Sequence, residues 1–83
     1  MSNVERIIKL LMDTANGSLD PNAALQAWPI DSADDDVVLA EAWHALSHFA
    51  NDWDIRQKDA AYDELMRAQL FQHARKIKVQ FNL

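Results

Sequence analysis

A stripe of apolar residues at helical spacing constrains the fold of this chain more than any other feature of its sequence. The stripe recurs at alternating steps of three and four residues: Leu39, Ala42, Leu46, Phe49 and Trp53. Three further residues widen it: Val38, Trp43 and Ala50. A face of this width must be buried, so we expect a central helix over residues 33–53 that contacts the other elements, with Ser32 as its N-cap.

Two helices are predicted before the central one. Ser2 opens a capping box at the start of the first helix, and Gly17 suits the left-handed residue that ends it. The second helix is brief, because Asp20 is a good N-cap, Pro21 fits the first helical position, and Pro29 closes the segment. Proline also disfavours a helical conformation in the residue before it, so we expect a short extended crossing there.

A fourth helix follows a polar break at residues 54–58, with Asp59 as its N-cap. Its predicted apolar face contains Tyr62, Leu65, Met66, Leu70 and Ile77. Residues 79–83 alternate apolar and polar, which fits either a fraying or packed helix end, or an extended strand that pairs with another chain. The predicted fold class is therefore all-α: a small four-helix bundle of three long helices and one short one, in a single domain over residues 1–83.

Composition excludes several classes of function. The chain has 83 residues and no cysteine, so it can form neither a disulfide framework nor a thiolate zinc site. No apolar run approaches the ~20 residues that span a bilayer, and we expect a cytoplasmic protein without membrane contact. A single glycine cannot build a phosphate-binding loop, and no serine has the setting of a nucleophile elbow. We therefore expect a protein that is not an enzyme and needs no cofactor.

The charge distribution is more informative than the net charge of −5. Residues 13–64 hold twelve acidic and two basic residues, whereas the remainder holds one acidic and six basic ones. An acidic middle repels phosphate groups, so direct nucleic-acid binding is not expected. A basic protein would instead be steered toward this segment.

The acids gather at two helix starts, and the second group is mixed with aromatic residues. This candidate partner-binding site consists of Asp52, Trp53, Asp54, Asp59, Tyr62, Asp63 and Glu64. Aromatic side chains within a charged rim are typical of protein-binding hot spots. The alternative is a solvated face whose acids serve only to cap helices, with the tryptophans in the core; for Trp28 and Trp43 we expect the core.

Two histidines raise the question of a metal site. His44 and His48 lie four residues apart on the central helix, and Asp52 follows at the same spacing. A structural metal site usually takes ligands from two elements, and His73 is the only other histidine. We therefore predict no metal, and we expect His44 and His48 to flank the buried stripe and form hydrogen bonds with neighbouring groups.

The order of these elements resembles that of the colicin D-type immunity proteins. The shared features are a leading amphipathic helix that runs from Leu10-Leu11 to a turn at Asn16-Gly17-Ser18-Leu19, a short helix, a central helix, and a closing helix that opens with Asp63-Glu64-Leu65. Residues 52–59 have no counterpart in that pattern. The resemblance implies an acidic helical inhibitor whose carboxylates occupy the basic cleft of a ribonuclease toxin.

Two functions therefore remain open. The first is an immunity-like or antitoxin-like inhibitor of a basic protein such as a nuclease toxin. The second is a structural or regulatory module that self-associates, for instance as a homodimer, through apolar surface. Three tryptophans and an alternating apolar tail in so short a chain favour the second function.

Overall fold

The computed structural model describes residues 3–29 and 36–83. Five helices follow one another in these ranges: α1 (Asn3–Ala15), α2 (Pro21–Ala27), α3 (Val37–Asn51), α4 (Trp53–Lys58) and α5 (Ala60–Gln80). The described residues contain no strand, which confirms the all-α class. The helix count differs from the predicted four because the expected polar break at residues 54–58 lies within a helix of its own, α4.

Polar composition alone does not interrupt a helix, and this explains α4. Asp54 lies in its first turn, while Arg56 and Lys58 lie in its last turn. This order of charges suits the helix dipole, and none of the six residues is glycine or proline. The predicted break at residues 54–58 was therefore wrong.

The turns at both ends of α2 form as predicted. Gly17 has a φ of 87°, and Ser18 N donates to Asp13 O at 2.9 Å, which closes the end of α1. Asp20 caps α2 by accepting hydrogen bonds from two backbone amides in its first turn, and Pro21 is its first residue. Trp28 is extended before Pro29, with φ −62° and ψ 129°.

The central helix begins later than the pattern predicted. Asp36 is the N-cap of α3, and its Oδ1 accepts hydrogen bonds from Val38 N at 2.8 Å and Leu39 N at 3.4 Å. The prediction of Ser32 as the cap is therefore wrong, since α3 starts at Val37. The described residues exclude Ser32, the acidic residues at 31, 34 and 35, and Ser2 of the predicted capping box.

The core lies where α1, α3 and α5 meet, and α5 packs against both α1 and α3. Its largest fully buried side chains include Ile7, Leu11, Leu46, Phe49, Leu70 and Ile77. Trp28 is also buried, as expected. Three predicted core residues are instead exposed: Trp43 (37%), Trp53 (53%) and Leu65 (55%).

The end of the chain forms a helix terminus rather than a strand. α5 continues to Gln80, Asn82 has a φ of 57°, and Leu83 N donates to Lys78 O at 2.9 Å. Phe81 packs against the core from this turn. The extended alternative for residues 79–83 was therefore wrong, because the left-handed residue and its hydrogen bond close the helix. No helix within the described ranges has the length and apolar character to cross a membrane.

Candidate functional site

The junction of α3, α4 and α5 contains the predicted partner-binding residues, and Asp63 lies inside it. Arg56 Nη1 donates to Asp63 Oδ1 at 2.9 Å, and Arg67 Nε donates to Asp63 Oδ2 at 2.8 Å. Each oxygen of this carboxylate therefore has its own guanidinium partner. Asp63 contributes to the packing of the helices and does not offer an unpaired charge to a partner, contrary to the sequence prediction.

The two arginines also connect the other helices. Arg56 is 8% exposed, its Nε donates to Phe49 O at 3.0 Å, and its guanidinium carbon lies 3.6 Å from the centre of the Phe49 ring. Arg67 Nη1 donates to Ala15 O at 2.9 Å, at the end of α1. The set Phe49, Arg56, Asp63 and Arg67, which we call the arginine network, thus joins α1, α3, α4 and α5.

The arginine network changes the ionisation of its carboxylate. The hydrogen bond from Arg67 is the main reason that the pKa of Asp63 lies below the ordinary aspartate value, and the hydrogen bond from Arg56 adds to the effect. Burial acts in the opposite direction but is weaker than the two guanidinium contacts combined. The charged form of Asp63 is therefore the form that the fold stabilises.

Two other predicted acids accept hydrogen bonds from Tyr62. The Tyr62 hydroxyl donates to Asp52 Oδ2 at 2.7 Å, and Asp59 caps α5 by accepting from Tyr62 N at 3.1 Å. The hydrogen bond to Asp52 raises the pKa of the Tyr62 hydroxyl, because the proton that the bond needs is lost on ionisation. Asp59 therefore caps α5, as the helix-capping alternative predicted, whereas the Asp52 side chain binds the Tyr62 hydroxyl and makes no capping hydrogen bond to α4.

The remaining predicted acids are unpaired. Asp54 and Glu64 are exposed, and neither makes a hydrogen bond or ion pair with a described residue. Three exposed apolar side chains are adjacent to them in sequence: Trp53 (53%), Ile55 (51%) and Leu65 (55%). Successive residues of a helix point in different directions, so these side chains are spread around the junction and do not share one helix face. We call these five residues, on α4 and the first turns of α5, the α4 surface. It combines two available carboxylates with apolar contact area.

Trp53 projects from the start of α4 toward the α1–α2 turn. It lines an open cavity of about 330 Å³ together with Gly17, Leu19 and Asp20, and the two arginines of the network lie against the same cavity. The indole is therefore positioned by a well-connected region while about half of it stays exposed. A side chain held in this way loses little conformational entropy on binding.

The histidines do not form the alternative metal site. His44 and His48 are both exposed, and the edge of the His44 ring meets Trp43 with the ring centres 5.3 Å apart. In the described part of the chain, no group of three potential ligands is close enough to hold a metal ion. His73 is half-buried on α5, where burial lowers its pKa.

Sequence reasoning missed Arg56 and Arg67 as partners of Asp63, and Phe49 as the ring that both guanidiniums contact. Arg67 follows Asp63 by four residues, and this spacing on one helix was a usable signal. The burial of Arg56 had no such signal, because the segment around it was interpreted as a polar break.

Comparisons with protein-family models, curated proteins and solved structures find no match to this chain.

Proposed function

We propose that this chain is a small helical binding protein that inhibits a basic protein, such as a nuclease toxin, through the α4 surface. The observation that supports this proposal most is the pairing of available carboxylates with exposed apolar side chains at one helix junction. Asp54 and Glu64 supply charge, and Trp53, Ile55 and Leu65 supply apolar area. Charge attracts a basic partner from a distance, whereas burial of apolar area holds it.

The arginine network supports the same proposal by making the surface rigid. α4 has only six residues, too few for an independently stable helix. The contacts of Arg56 with Phe49 and Asp63 connect α4 to α3 and α5. A surface that is already ordered before binding avoids the entropic cost of ordering itself.

The proposal differs from a purely electrostatic mechanism. Of the five acids predicted to face a partner, Asp63 is neutralised, and Asp52 and Asp59 are engaged with Tyr62. Binding would therefore depend on fewer charges and more on Trp53 than the sequence predicted. Phosphate mimicry, which the immunity-protein resemblance implies, would fall to Asp54 and Glu64.

Affinity for a basic ribonuclease domain of the colicin D type tests the proposal. We expect wild-type protein to bind and inhibit it, Trp53→Ala to weaken binding at least tenfold, and the pair Asp54→Lys with Glu64→Lys to abolish inhibition at low salt. Arg6→Glu, an exposed change on α1, is the control and should leave binding unaltered. A second probe, an arginine-rich peptide, reports binding that is independent of the nuclease fold. If neither probe binds, or if the two lysine substitutions have no effect, the proposal is wrong.

A further inference from the structure

A second exposed apolar surface lies where the C-terminal half of α5 passes α1. Two open cavities, of about 550 and 470 Å³, share Met12, Lys78 and Leu83 among their lining residues, and Phe71 and Val79 extend the apolar lining. Four of the nine large hydrophobic side chains that are exposed in the described residues lie here. We call Met12, Phe71, Arg75, Lys78, Val79 and Leu83 the α1–α5 groove.

The α5 wall of this groove is basic. After Glu64, α5 contains no acidic residue, and both Arg75 and Lys78 lack a hydrogen bond or ion pair with a described residue. Acids occur only on the α1 wall, where Asp13 is already paired with Lys9 at 2.9 Å and Glu5 also lines the larger cavity. The groove therefore offers two available cations beside apolar area, and it suits a partner with the opposite charge.

The α4 surface of the same chain has this complementary chemistry. It offers the carboxylates of Asp54 and Glu64 beside exposed apolar side chains. Both surfaces are carried by α5, in which Glu64 and Lys78 are separated by about 21 Å of continuous helix. The helix keeps the two surfaces apart within one molecule, so they can meet only between two molecules.

We infer that the α1–α5 groove receives the α4 surface of a second copy of this chain. The contact is head-to-tail, with each copy using a different surface on either side, so association continues as an open chain unless the rotation between copies closes a ring or a reciprocal dimer. This inference rests on the α4 surface of the proposed function. It adds a regulatory consequence: a basic partner and the groove of a neighbouring copy compete for Asp54, Glu64 and Trp53.

Two charge-reversal variants test the inference by sedimentation velocity at low ionic strength. The groove variant carries Arg75→Glu with Lys78→Glu, and the face variant carries Asp54→Lys with Glu64→Lys. All four side chains are exposed and unpaired among the described residues, so both variants should remain folded, with a small loss of stability from reversing charges near the start of α4 and the end of α5; urea unfolding checks this. Arg6→Glu serves as a charge control outside both surfaces.

We expect wild-type protein to form a concentration-dependent series of species that dissociates as salt is raised. Each variant alone should associate at least tenfold more weakly, because every contact then has one reversed surface. An equimolar mixture should regain association, since the intact α4 surface of the groove variant meets the intact groove of the face variant, and the two reversed surfaces again carry opposite charges. The Arg6→Glu control should behave like wild type.

Three outcomes would overturn the inference: wild-type protein that stays monomeric at high concentration, a mixture that stays monomeric, or a face variant that still dimerises alone. The last would indicate groove-to-groove pairing instead. The groove variant also separates this inference from the proposed function, because it leaves the α4 surface intact. If it binds the basic probes as wild type does while wild type shows no self-association, only the inference fails.

Discussion

The two ends of α5 carry charges that are used in opposite ways. At its start, Asp63 forms salt bridges with two arginines, one of them buried, and the neighbouring Asp52 and Asp59 accept hydrogen bonds from Tyr62. At its end, Arg75 and Lys78 lack partners among the described residues and stand beside exposed apolar side chains. The start of α5 thus uses most of its charge to fix the fold and leaves Glu64 available, whereas both cations at the end are available for contact with another molecule.

The comparison teaches that formal charge is a poor guide to available charge. The sequence places five acids around α4, yet only Asp54 and Glu64 remain unpaired in the described structure. Two arginines account for Asp63, because a planar guanidinium satisfies several acceptors at once, and Tyr62 accounts for Asp52 and Asp59. The same substitution should therefore change stability more in the arginine network than in the α1–α5 groove.

Two phenylalanines should show the largest difference. Phe49→Ala removes a fully buried ring that also supports both guanidiniums, and we expect it to lower the free energy of unfolding by about 4 kcal/mol. Phe71→Ala, in the groove, removes a ring that is 42% exposed and should cost about 1 kcal/mol or less. Urea unfolding measures both. If both variants lose the same free energy of unfolding, Phe49 is no better packed than Phe71.

Two arginines should show the next largest difference. Arg56→Ala leaves the Phe49 carbonyl and one Asp63 oxygen without their donor, and it should cost about 3 kcal/mol. Arg75→Ala removes an exposed, unpaired cation and should change stability by no more than about 0.5 kcal/mol. An Arg56→Ala protein as stable as wild type would contradict the role given to the arginine network.

Acid unfolding should depend on Asp63 and not on Asp54. The folded pKa of Asp63 is lowered, so the unfolded chain binds its proton more readily. The stability from this group is present above the unfolded value of about 4 and is lost as the pH falls through the lower folded pKa. The Asp63→Asn variant should therefore lose less stability than wild type as the pH is lowered. The matched variant Asp54→Asn is the control and should unfold in acid as wild type does. If Asp63→Asn also unfolds in acid as wild type does, the role given to Asp63 is wrong.

The smallest expected effect is spectroscopic. Tyr62 is the only tyrosine, so alkaline absorbance titration reports its pKa alone. We expect Asp52→Asn to lower that pKa toward the ordinary tyrosine value, because the charged acceptor that raises it is gone. Asp54→Asn is again the control and should have no effect. A Tyr62 pKa that does not respond to Asp52→Asn would place the hydroxyl away from Asp52 in solution.

Much of the fold could be predicted from local sequence signals. The cap at Asp20, the left-handed Gly17 and the buried stripe from Leu39 to Phe49 all form as expected, because each depends on neighbouring residues. The continuation of that stripe to Trp53 failed, because α3 ends at Asn51 and a new helix begins.

The candidate site was only partly predictable, because ion pairing is a tertiary property. The pattern located the acids and aromatic residues of the junction, but it could not show that Arg56 turns inward to reach Phe49 and Asp63. For the same reason, the groove was not predicted. Met12 and Val79 belong to different helices, and only the packing of α1 against α5 places them on the lining of one cavity.

Amide chemical-shift mapping with two peptides of opposite charge tests the account most directly. We predict that an arginine-rich peptide perturbs residues 53–55 and 64–65, whereas a glutamate-rich peptide perturbs residues 75–79 and the facing part of α1. Both sets of shifts should weaken as salt is added. If both peptides perturb the same residues, or if the arginine-rich peptide perturbs neither α4 nor the start of α5, the two ends do not differ in the way described.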